Sequence, residues 1–264
     1  MIYLNKPYDF LRICQLTDTM CDDKLDLVVI PPNCTLEQKM SLTEEVIRKL
    51  KYQILSGQYE PGEHLPTLRE MADIFEVSRS VINAVVVDME TSGYIKIVPT
   101  KWIEVADWET EGNLSILNDL IEFDLIKREQ LESLLQSRLF MELECVRLAC
   151  ENASREDVAR LKALVIEETA ETRPEKRAKC DIRFHTLVAQ MSGNFIYGMI
   201  INSFSDSGRK LIEKFYNDEN VMNFVSEKHG SICRAIENKD ENLAVSQMRE
   251  LLLHGERIIY TKIK

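Results

Sequence analysis

The sequence predicts a mainly α protein with two domains: an N-terminal winged helix-turn-helix of three helices plus a small β-hairpin wing, and a C-terminal all-α antiparallel bundle of six or seven helices. Three observations lead to this prediction. Apolar residues recur at helical spacing in three short segments between residues 42 and 93. Two β-type runs follow at 94–98 and 101–105. Helical spacing then continues from residue 114 onward without another strand, which is typical of a helical bundle.

The first two predicted helices have recognisable ends. An apolar stripe ends at Gly57, where a left-handed residue can terminate a helix, and Pro61-Gly62 then forces a turn. Thr67 and Glu70 form a capping box at the start of the second helix. The apolar residues of the two helices are Val46, Ile47, Leu50, Ile54 and Leu55, followed by Met71, Ala72, Ile74 and Phe75.

The third predicted helix follows a cap at Ser78 and stops at Gly93, and a hairpin around Pro99-Thr100 forms the wing. Such an arrangement places a helix N terminus against phosphates and offers the same helix to the major groove of DNA. The inward residues are Val81, Ile82, Val85 and Met89, which leaves Arg79, Ser80, Asn83 and either Val86 or Val87 on other faces.

The chain divides into four predicted segments. Residues 1–39 match no recognisable pattern and are interpreted as an N-terminal extension, and residues 40–106 form the winged helix-turn-helix. Residues 107–113 form a polar linker, and residues 114–264 form the helical domain. A length of 264 residues with 45% hydrophobic content suits two domains of ordinary size.

Composition excludes several classes of protein. No apolar run approaches the ~20 residues that span a bilayer, and no signal peptide is apparent, so we expect a cytoplasmic protein without a membrane partner. Seven cysteines without a Cys-x-x-Cys pair predict reduced, mostly buried thiols. The net charge of -11 argues against non-specific coating of nucleic acid, so DNA binding needs a local basic edge. Its candidates are Arg48, Lys49, Lys51, Arg69, Arg79, Lys96 and Lys101.

A long, ordered series of residues resembles the DNA-binding half of the GntR family of bacterial transcription regulators. The series runs through Ser56-Gly57, Pro61-Gly62, Leu65-Pro66, Arg69-Glu70-Met71-Ala72, Val77-Ser78-Arg79-Ser80, Glu90 and Gly93. Asn83 stands where the family usually has a DNA-contacting arginine, and Pro99-Thr100 replaces the usual glycine-containing wing tip. The resemblance implies operator contacts, for which the candidate residues are Arg69, Ser78, Arg79, Ser80, Asn83, Thr100 and Lys101.

In the helical half, Asp181-x-x-x-His185 places a carboxylate and an imidazole one turn apart on one helix face. This spacing can clamp a divalent ion, although a lone pair of this kind is more often a surface or capping pair. Two further histidines, His229 and His254, lie in the same half of the chain.

Residues from about 114 to 260 resemble the helical effector domain of the FadR subfamily in its metal-binding FCD form. The resemblance rests on Arg138-x-x-x-Glu142, Asp181-Ile182-Arg183-Phe184-His185, Ser192-Gly193-Asn194, His229 with Ala235-Ile236 and Asp240, and Ala244 with Met248. It implies a zinc, nickel or manganese ion held by Asp181, His185, His229 and a final histidine, with a small organic acid completing the coordination. Leu251 fills the expected place of that final histidine, so His254, about one helical turn later, is the candidate.

The effector carboxylate would need a polar partner. Arg138 is the first candidate because a guanidinium offers a bidentate fork and because the resembling family uses an arginine at this point. An intrahelical pair between Arg138 and Glu142 is the alternative. Asn202 and Arg209 are further effector-binding candidates.

Together these patterns predict a homodimeric, ligand-responsive transcription regulator, not an enzyme, whose partners are a palindromic operator and a small carboxylate. Residues 192–198 and 107–117 also resemble metal-free regulators that bind fatty acyl-CoA, so acyl-CoA is an alternative effector. A metal-dependent enzyme that activates water at Asp181, His185 and His229 is a second alternative. A third alternative is a family member that no longer binds DNA and instead binds a protein partner.

Overall fold

The computed structural model describes residues 40–99, 101–203 and 218–262, which form eleven helices and one two-stranded sheet. The predicted extension at 1–39 and the predicted site residues Thr100 and Arg209 lie outside this described part. The helices are α1 (Leu42–Leu55), α2 (Leu68–Ile74), α3 (Arg79–Thr91), α4 (Trp108–Glu111), α5 (Ser115–Glu122), α6 (Arg128–Asn152), α7 (Arg155–Ala170), α8 (Pro174–Met191), α9 (Phe195–Ser203), α10 (Glu219–Glu237) and α11 (Glu241–Lys262).

The mainly helical fold class is confirmed, with a winged helix followed by a bundle. Strands β1 (Ile95–Val98) and β2 (Trp102–Val105) pair antiparallel, with Ile95 opposite Val105. The wing is therefore a short hairpin between α3 and α4. Within the described ranges, no helix is both long and apolar enough to cross a lipid bilayer.

Local capping determines where the first three helices begin. Thr67 accepts a hydrogen bond from the backbone of Glu70, and the Glu70 side chain returns one to Thr67, as the capping-box prediction required. The Ser78 hydroxyl accepts a hydrogen bond from the backbone N–H of Val81 at the start of α3. Gly57 and Gly93 follow α1 and α3, each with φ of 80°, a conformation that favours glycine after a helix.

The winged-helix core buries a wider arc of α3 than the sequence pattern indicates. Val86 is only 4% exposed, whereas Val87 is 61% exposed. The pattern left open which of the two valines would leave the core, and the structure assigns Val87 to the surface. Val81 is only half-buried. Because α3 packs against both α1 and α2, more than one side of the helix is covered.

Helix α5 packs with the winged-helix core, although residues from 114 onward were assigned to the helical domain. Ile116 and Leu120 are buried in the cluster that also contains the core of α1 and α3. The Tyr94 hydroxyl donates to Asp119 Oδ2 at 2.6 Å, and Lys51 Nζ lies 3.0 Å from the same oxygen. Burial and this hydrogen bond to Asp119 both raise the pKa of Tyr94, so the phenol stays protonated.

Helices α6 to α11 form the bundle. Helix α6 packs against α8 and α11, α10 packs against α7 and α11, and α8 also packs against α7 and α9. Cys145, Cys150, Cys180 and Cys233 are free thiols buried in this core, in agreement with the expectation of reduced cysteines. Burial raises the pKa of the Cys145 thiol to about 12, so this thiol is protonated and inert near neutral pH.

Replacing Asp119 by alanine is expected to loosen α5 from the winged helix, because Tyr94 and Lys51 lose a shared, partly buried acceptor. The loss of such a bond costs about 1–3 kcal/mol, so amide exchange in α5 should accelerate by about 5- to 150-fold. Hydrogen–deuterium exchange with mass spectrometry measures this rate. Asp88→Ala, which removes an exposed carboxylate on α3, is the control; equal protection in both variants would contradict the role of Asp119.

Candidate functional site

The predicted DNA-binding residues that the structure describes lie on one domain and are all exposed. Ser78 and Ser80 stand at the N terminus of α3, with their hydroxyl oxygens 2.9 Å apart. A helix N terminus with unpaired N–H groups and nearby hydroxyls suits a phosphate oxygen. The exposed residues are Arg69, Ser78, Arg79, Ser80, Asn83 and Lys101.

The expected basic edge is narrower than the sequence indicates, because carboxylates neutralise four of its seven members. The paired residues are Arg48 with Glu122, Lys49 with Glu45, Lys51 with Asp119, and Lys96 with Glu111. Arg69, Arg79 and Lys101 form no ion pair with any residue that the structure describes. The remaining positive charge therefore sits at α2, the start of α3 and the wing.

Three donors meet in the middle of the helical bundle. Asp181 and His185 lie one turn apart on α8, and His229 comes from α10. One ligand atom from each residue lies within 4.8 Å of the other two, and all three side chains are buried. Asp181 Oδ1 is 3.8 Å from His185 Nε2 and 3.7 Å from His229 Nε2.

A second pair of carboxylates fixes how the two imidazoles point. His229 Nδ1 lies 2.9 Å from Glu168 Oε2 on α7, and His185 Nδ1 is hydrogen-bonded to Glu142 on α6. An ionised carboxylate can only accept, so the proton of each neutral ring belongs on Nδ1. Each Nε2 then keeps a lone pair that faces Asp181. Carboxylate–histidine pairs of this kind orient imidazole ligands at metal sites.

Glu142 is charged despite its complete burial. Burial by itself would raise its pKa, but the hydrogen bond from His185 and the guanidinium of Arg138 outweigh burial and lower the pKa of Glu142. Arg138 Nε donates to Glu142 Oε1 at 2.5 Å, which confirms the intrahelical pair considered for these two residues. Arg138 therefore touches the carboxylate that orients His185.

The donor set fits a divalent ion. His229 Nε2 is buried and has no hydrogen-bond partner among the described residues, which is costly unless something else binds it. Two ligands about 2.1 Å from a tetrahedral ion are about 3.4 Å apart, slightly less than the two separations seen here. One carboxylate and two imidazoles with free Nε2 lone pairs are also ligands that zinc, nickel and manganese accept.

A small, solvent-open pocket lies beside these donors. Its polar lining comes from Arg138, Asp181, His185 and His254. The aliphatic wall of the pocket is the rest of its described side-chain lining, namely Val221, Val225, Leu251, Leu252, Ile258 and Ile259. The described lining therefore combines polar and aliphatic side chains.

Two other predicted site residues, His254 and Asn202, lie outside the group of three donors. His254 lines the pocket but is not part of the three-residue donor group, and its Nε2 is buried without a hydrogen-bond partner in the described structure. Burial lowers the pKa of His254, which keeps the ring neutral near pH 7. Asn202 is exposed on α9 and is not a lining residue of this pocket.

Sequence reasoning missed Glu168. One signal was available: Leu161, Leu164 and Glu168 recur at helical spacing, so this glutamate occupies a core position of α7. A carboxylate at a core position needs a buried partner, which here is His229. The partner itself could not be identified, because α7 and α10 meet only in the folded chain.

Glu168→Ala is expected to change the tautomer of His229, because the acceptor for Nδ1–H disappears. In the wild-type protein freed of metal with chelator, long-range ¹H–¹⁵N spectra should show Nδ1–H and a bare Nε2 for both His185 and His229. The variant should shift His229 toward the Nε2–H form and leave His185 unchanged. Glu167→Ala, the exposed neighbour paired with Arg183, is the matched control. A wild-type His229 in the Nε2–H form would refute the assignment.

Each half of the chain matches a known protein family. Residues 42–105 match the family described as "Bacterial regulatory proteins, gntR family", and residues 133–254 match the "FCD domain" family. The solved structure of Lar, which controls the expression of the agr system in Listeria monocytogenes, covers 84% of this chain and 98% of that chain. Its TM-score is 0.62 at 14% identity, a similarity of fold.

Relatives with similar sequences are named as regulators of transcription. YcbG of Bacillus subtilis, an HTH-type transcriptional regulator, is 26% identical over 221 residues, 81% of this chain and 88% of the relative. The HTH-type transcriptional repressor NanR of Klebsiella aerogenes is 26% identical over 211 residues, 78% of this chain and 80% of the relative. The Uxu operon transcriptional regulator of Escherichia coli is 28% identical over 172 residues, 62% of each chain.

An exposed helix-turn-helix face and a pocket in a helical bundle accompany these two matches, and the chain therefore combines a DNA-binding domain of the gntR family of bacterial regulatory proteins with an FCD domain, which is the composition of a transcription regulator and not of an enzyme.

Proposed function

We propose that this regulator binds a palindromic operator as a homodimer and responds to a small organic acid held beside a divalent ion in the bundle. One observation carries the metal and effector part of this proposal. Both imidazoles in the bundle have Nδ1 bound to a buried carboxylate and Nε2 directed at Asp181, beside a pocket that also contains Arg138. A purely structural core has no need of two oriented imidazoles that converge on one carboxylate, with the buried Nε2 of His229 left without a hydrogen-bond partner among the described residues.

Asp181, His185 and His229 would hold the ion, with Glu142 and Glu168 orienting the two imidazoles. A bound ion would supply a Lewis-acidic position for an effector carboxylate. Leu251 offers no ligand atom at the place expected for a fourth donor, which leaves that side to the pocket. His254 lines this pocket, and its Nε2, which has no hydrogen-bond partner in the described structure, would serve as a fourth donor or as a hydrogen-bonding group for the effector.

Arg138 would bind the effector carboxylate directly. Its Nε donates to Glu142, and Arg138 lines the pocket, where a guanidinium suits a carboxylate because it can form two parallel, charge-assisted hydrogen bonds. Six aliphatic side chains also line this pocket. Polar groups on the far end of an effector would lose their water without gaining partners there. The proposal therefore favours a small acid with an aliphatic body over a polyhydroxylated one.

Fatty acyl-CoA is the second candidate effector, and the aliphatic wall is the observation that favours it. The three buried donors have no role in that alternative. Either effector would act by preferring one relative arrangement of the two DNA-binding domains, since a ligand with equal affinity for both arrangements shifts nothing.

Elemental analysis of protein purified without a metal-affinity column tests the ion. The wild-type protein should carry close to one zinc, nickel or manganese ion per chain, and His185→Ala should carry almost none, because one of three ligands is lost. His64→Ala, which changes a histidine in the winged helix, should retain the ion. Metal-free wild-type protein that also fails to take up added zinc in calorimetry would contradict the site.

Arg138→Ala is expected to abolish the response to small acids. In the wild-type protein, hexanoate should raise the melting temperature and change operator affinity in fluorescence anisotropy, and gluconate should do neither at the same concentration. The loss of one charge-assisted pair costs about 1.5–3 kcal/mol, so affinity for the acid should fall by about 10- to 150-fold. Arg128→Ala, an exposed α6 arginine paired with Glu132, is the control. A response to palmitoyl-CoA but not to hexanoate would favour the alternative effector.

A further inference from the structure

The exposed face of α3 has a composition unusual for a surface that meets DNA. Arg79, Ser80, Asn83, Ala84 and Val87 are all exposed, and at 3.6 residues per turn they fall within an arc of about 140°. Arg79 is the only basic residue of this helix. Apart from Arg79 at its edge, this set offers one amide, one hydroxyl and two apolar side chains, and no cation.

Val87 is the informative member of this set. Its neighbours Val85 and Val86 are buried, whereas Val87 is 61% exposed and is not part of the winged-helix core. Asn83 lies one turn before it on the same face, and Ala84 lies at the edge of that face. An amide followed by a methyl-bearing surface is a chemical pattern that a base-pair edge can match.

The four base pairs differ in the major groove in ways that select among such side chains. Adenine presents N7 and N6–H₂, which an asparagine amide matches with two hydrogen bonds. Thymine alone presents a C5-methyl group, which favours contact with apolar side chains. Guanine is matched by arginine or lysine, and the middle of this face has neither. The face is thus complementary to A·T pairs.

From this surface we infer that α3 reads A·T base pairs in each operator half-site, with Asn83 bound to an adenine and Val87 packed on a thymine methyl group. Arg79 and the Ser78 and Ser80 hydroxyls at the helix start hold the phosphates and set the register. The inference rests on the winged helix being the operator-binding domain.

A binding selection from random duplex DNA with the full-length protein locates the half-site. The wild-type protein should enrich A·T pairs at the positions under α3. Asn83→Arg should change the preferred base at one position per half-site from adenine to guanine, which identifies the pair that residue 83 contacts. Enrichment of G·C at that position by the wild-type protein would overturn the inference. Failure to enrich any sequence would instead overturn the operator-binding assignment on which the inference rests.

Base analogues then test each contact separately by fluorescence anisotropy. Thymine→deoxyuracil at the Val87 position removes one methyl group and should weaken wild-type binding about 4-fold. Adenine→7-deazaadenine at the Asn83 position removes one acceptor and should weaken binding by about 2- to 12-fold. Val87→Ala should lose only the sensitivity to deoxyuracil, and Asn83→Ala should lose only the sensitivity to 7-deazaadenine.

The control for the methyl contact is Ile166→Ala, which removes an equally exposed aliphatic side chain from α7 in the bundle. This variant should keep both analogue effects at their wild-type size. A deoxyuracil effect that persists unchanged in Val87→Ala, with the fold intact by circular dichroism, would refute the thymine contact.

Discussion

Two buried histidine–carboxylate pairs hold the centre of the bundle in one arrangement. His185 on α8 is joined to Glu142 on α6, and His229 on α10 is joined to Glu168 on α7, so the two pairs connect four helices. Phe184 stacks on His229 with ring centroids 3.7 Å apart, which limits rotation of that imidazole. Each charged or polar member would be costly to bury alone, so the pairs persist together.

This arrangement would couple the proposed ion site to the proposed effector pocket. The carboxylate of Glu142 accepts from His185 and also from Arg138, so a group that binds the Arg138 guanidinium acts on the residue that orients an imidazole. Ion and effector binding are thus expected to be coupled, each changing the affinity for the other by the same factor.

Helix α5 connects the bundle with the DNA-binding domain. Its Asp119 is bound by Tyr94 and Lys51 of the winged helix, and its Asn118 donates to the backbone carbonyl of Ser203 on α9 at 2.8 Å. A shift of α9 therefore acts on a helix that belongs to the winged-helix core. This hydrogen bond joins the two halves of the chain, and the proposed effector would act through it only by favouring one position of α5.

Local chemistry made much of the fold predictable, and long-range contacts account for what was not. The Thr67–Glu70 capping box, the Ser78 cap and the glycine helix ends depend on neighbours within three or four residues, so they could be read directly. The Asp181–His185 spacing was visible for the same reason. The partnership of Glu168 with His229 spans 61 positions and had no local signature.

Long-range contacts also determine which charged and apolar residues remain exposed, and the sequence does not show those contacts. Four of the seven lysines and arginines expected at the DNA edge are neutralised by carboxylates, and two of those carboxylates, Asp119 and Glu122, come from α5. Helical spacing in α5 indicated an apolar face but not the element that would cover it. Only the packed chain shows that this face turns toward α1 and α3.

The most direct test of the metal site is X-ray absorption spectroscopy of the zinc-loaded, full-length protein. The site predicts nitrogen and oxygen ligands at about 2.0–2.1 Å, with outer-shell scattering from at least two imidazoles. His229→Ala should lose one imidazole contribution, and His64→Ala should lose none. A first shell of sulfur ligands, or a spectrum without imidazole scattering, would contradict an ion held by Asp181, His185 and His229.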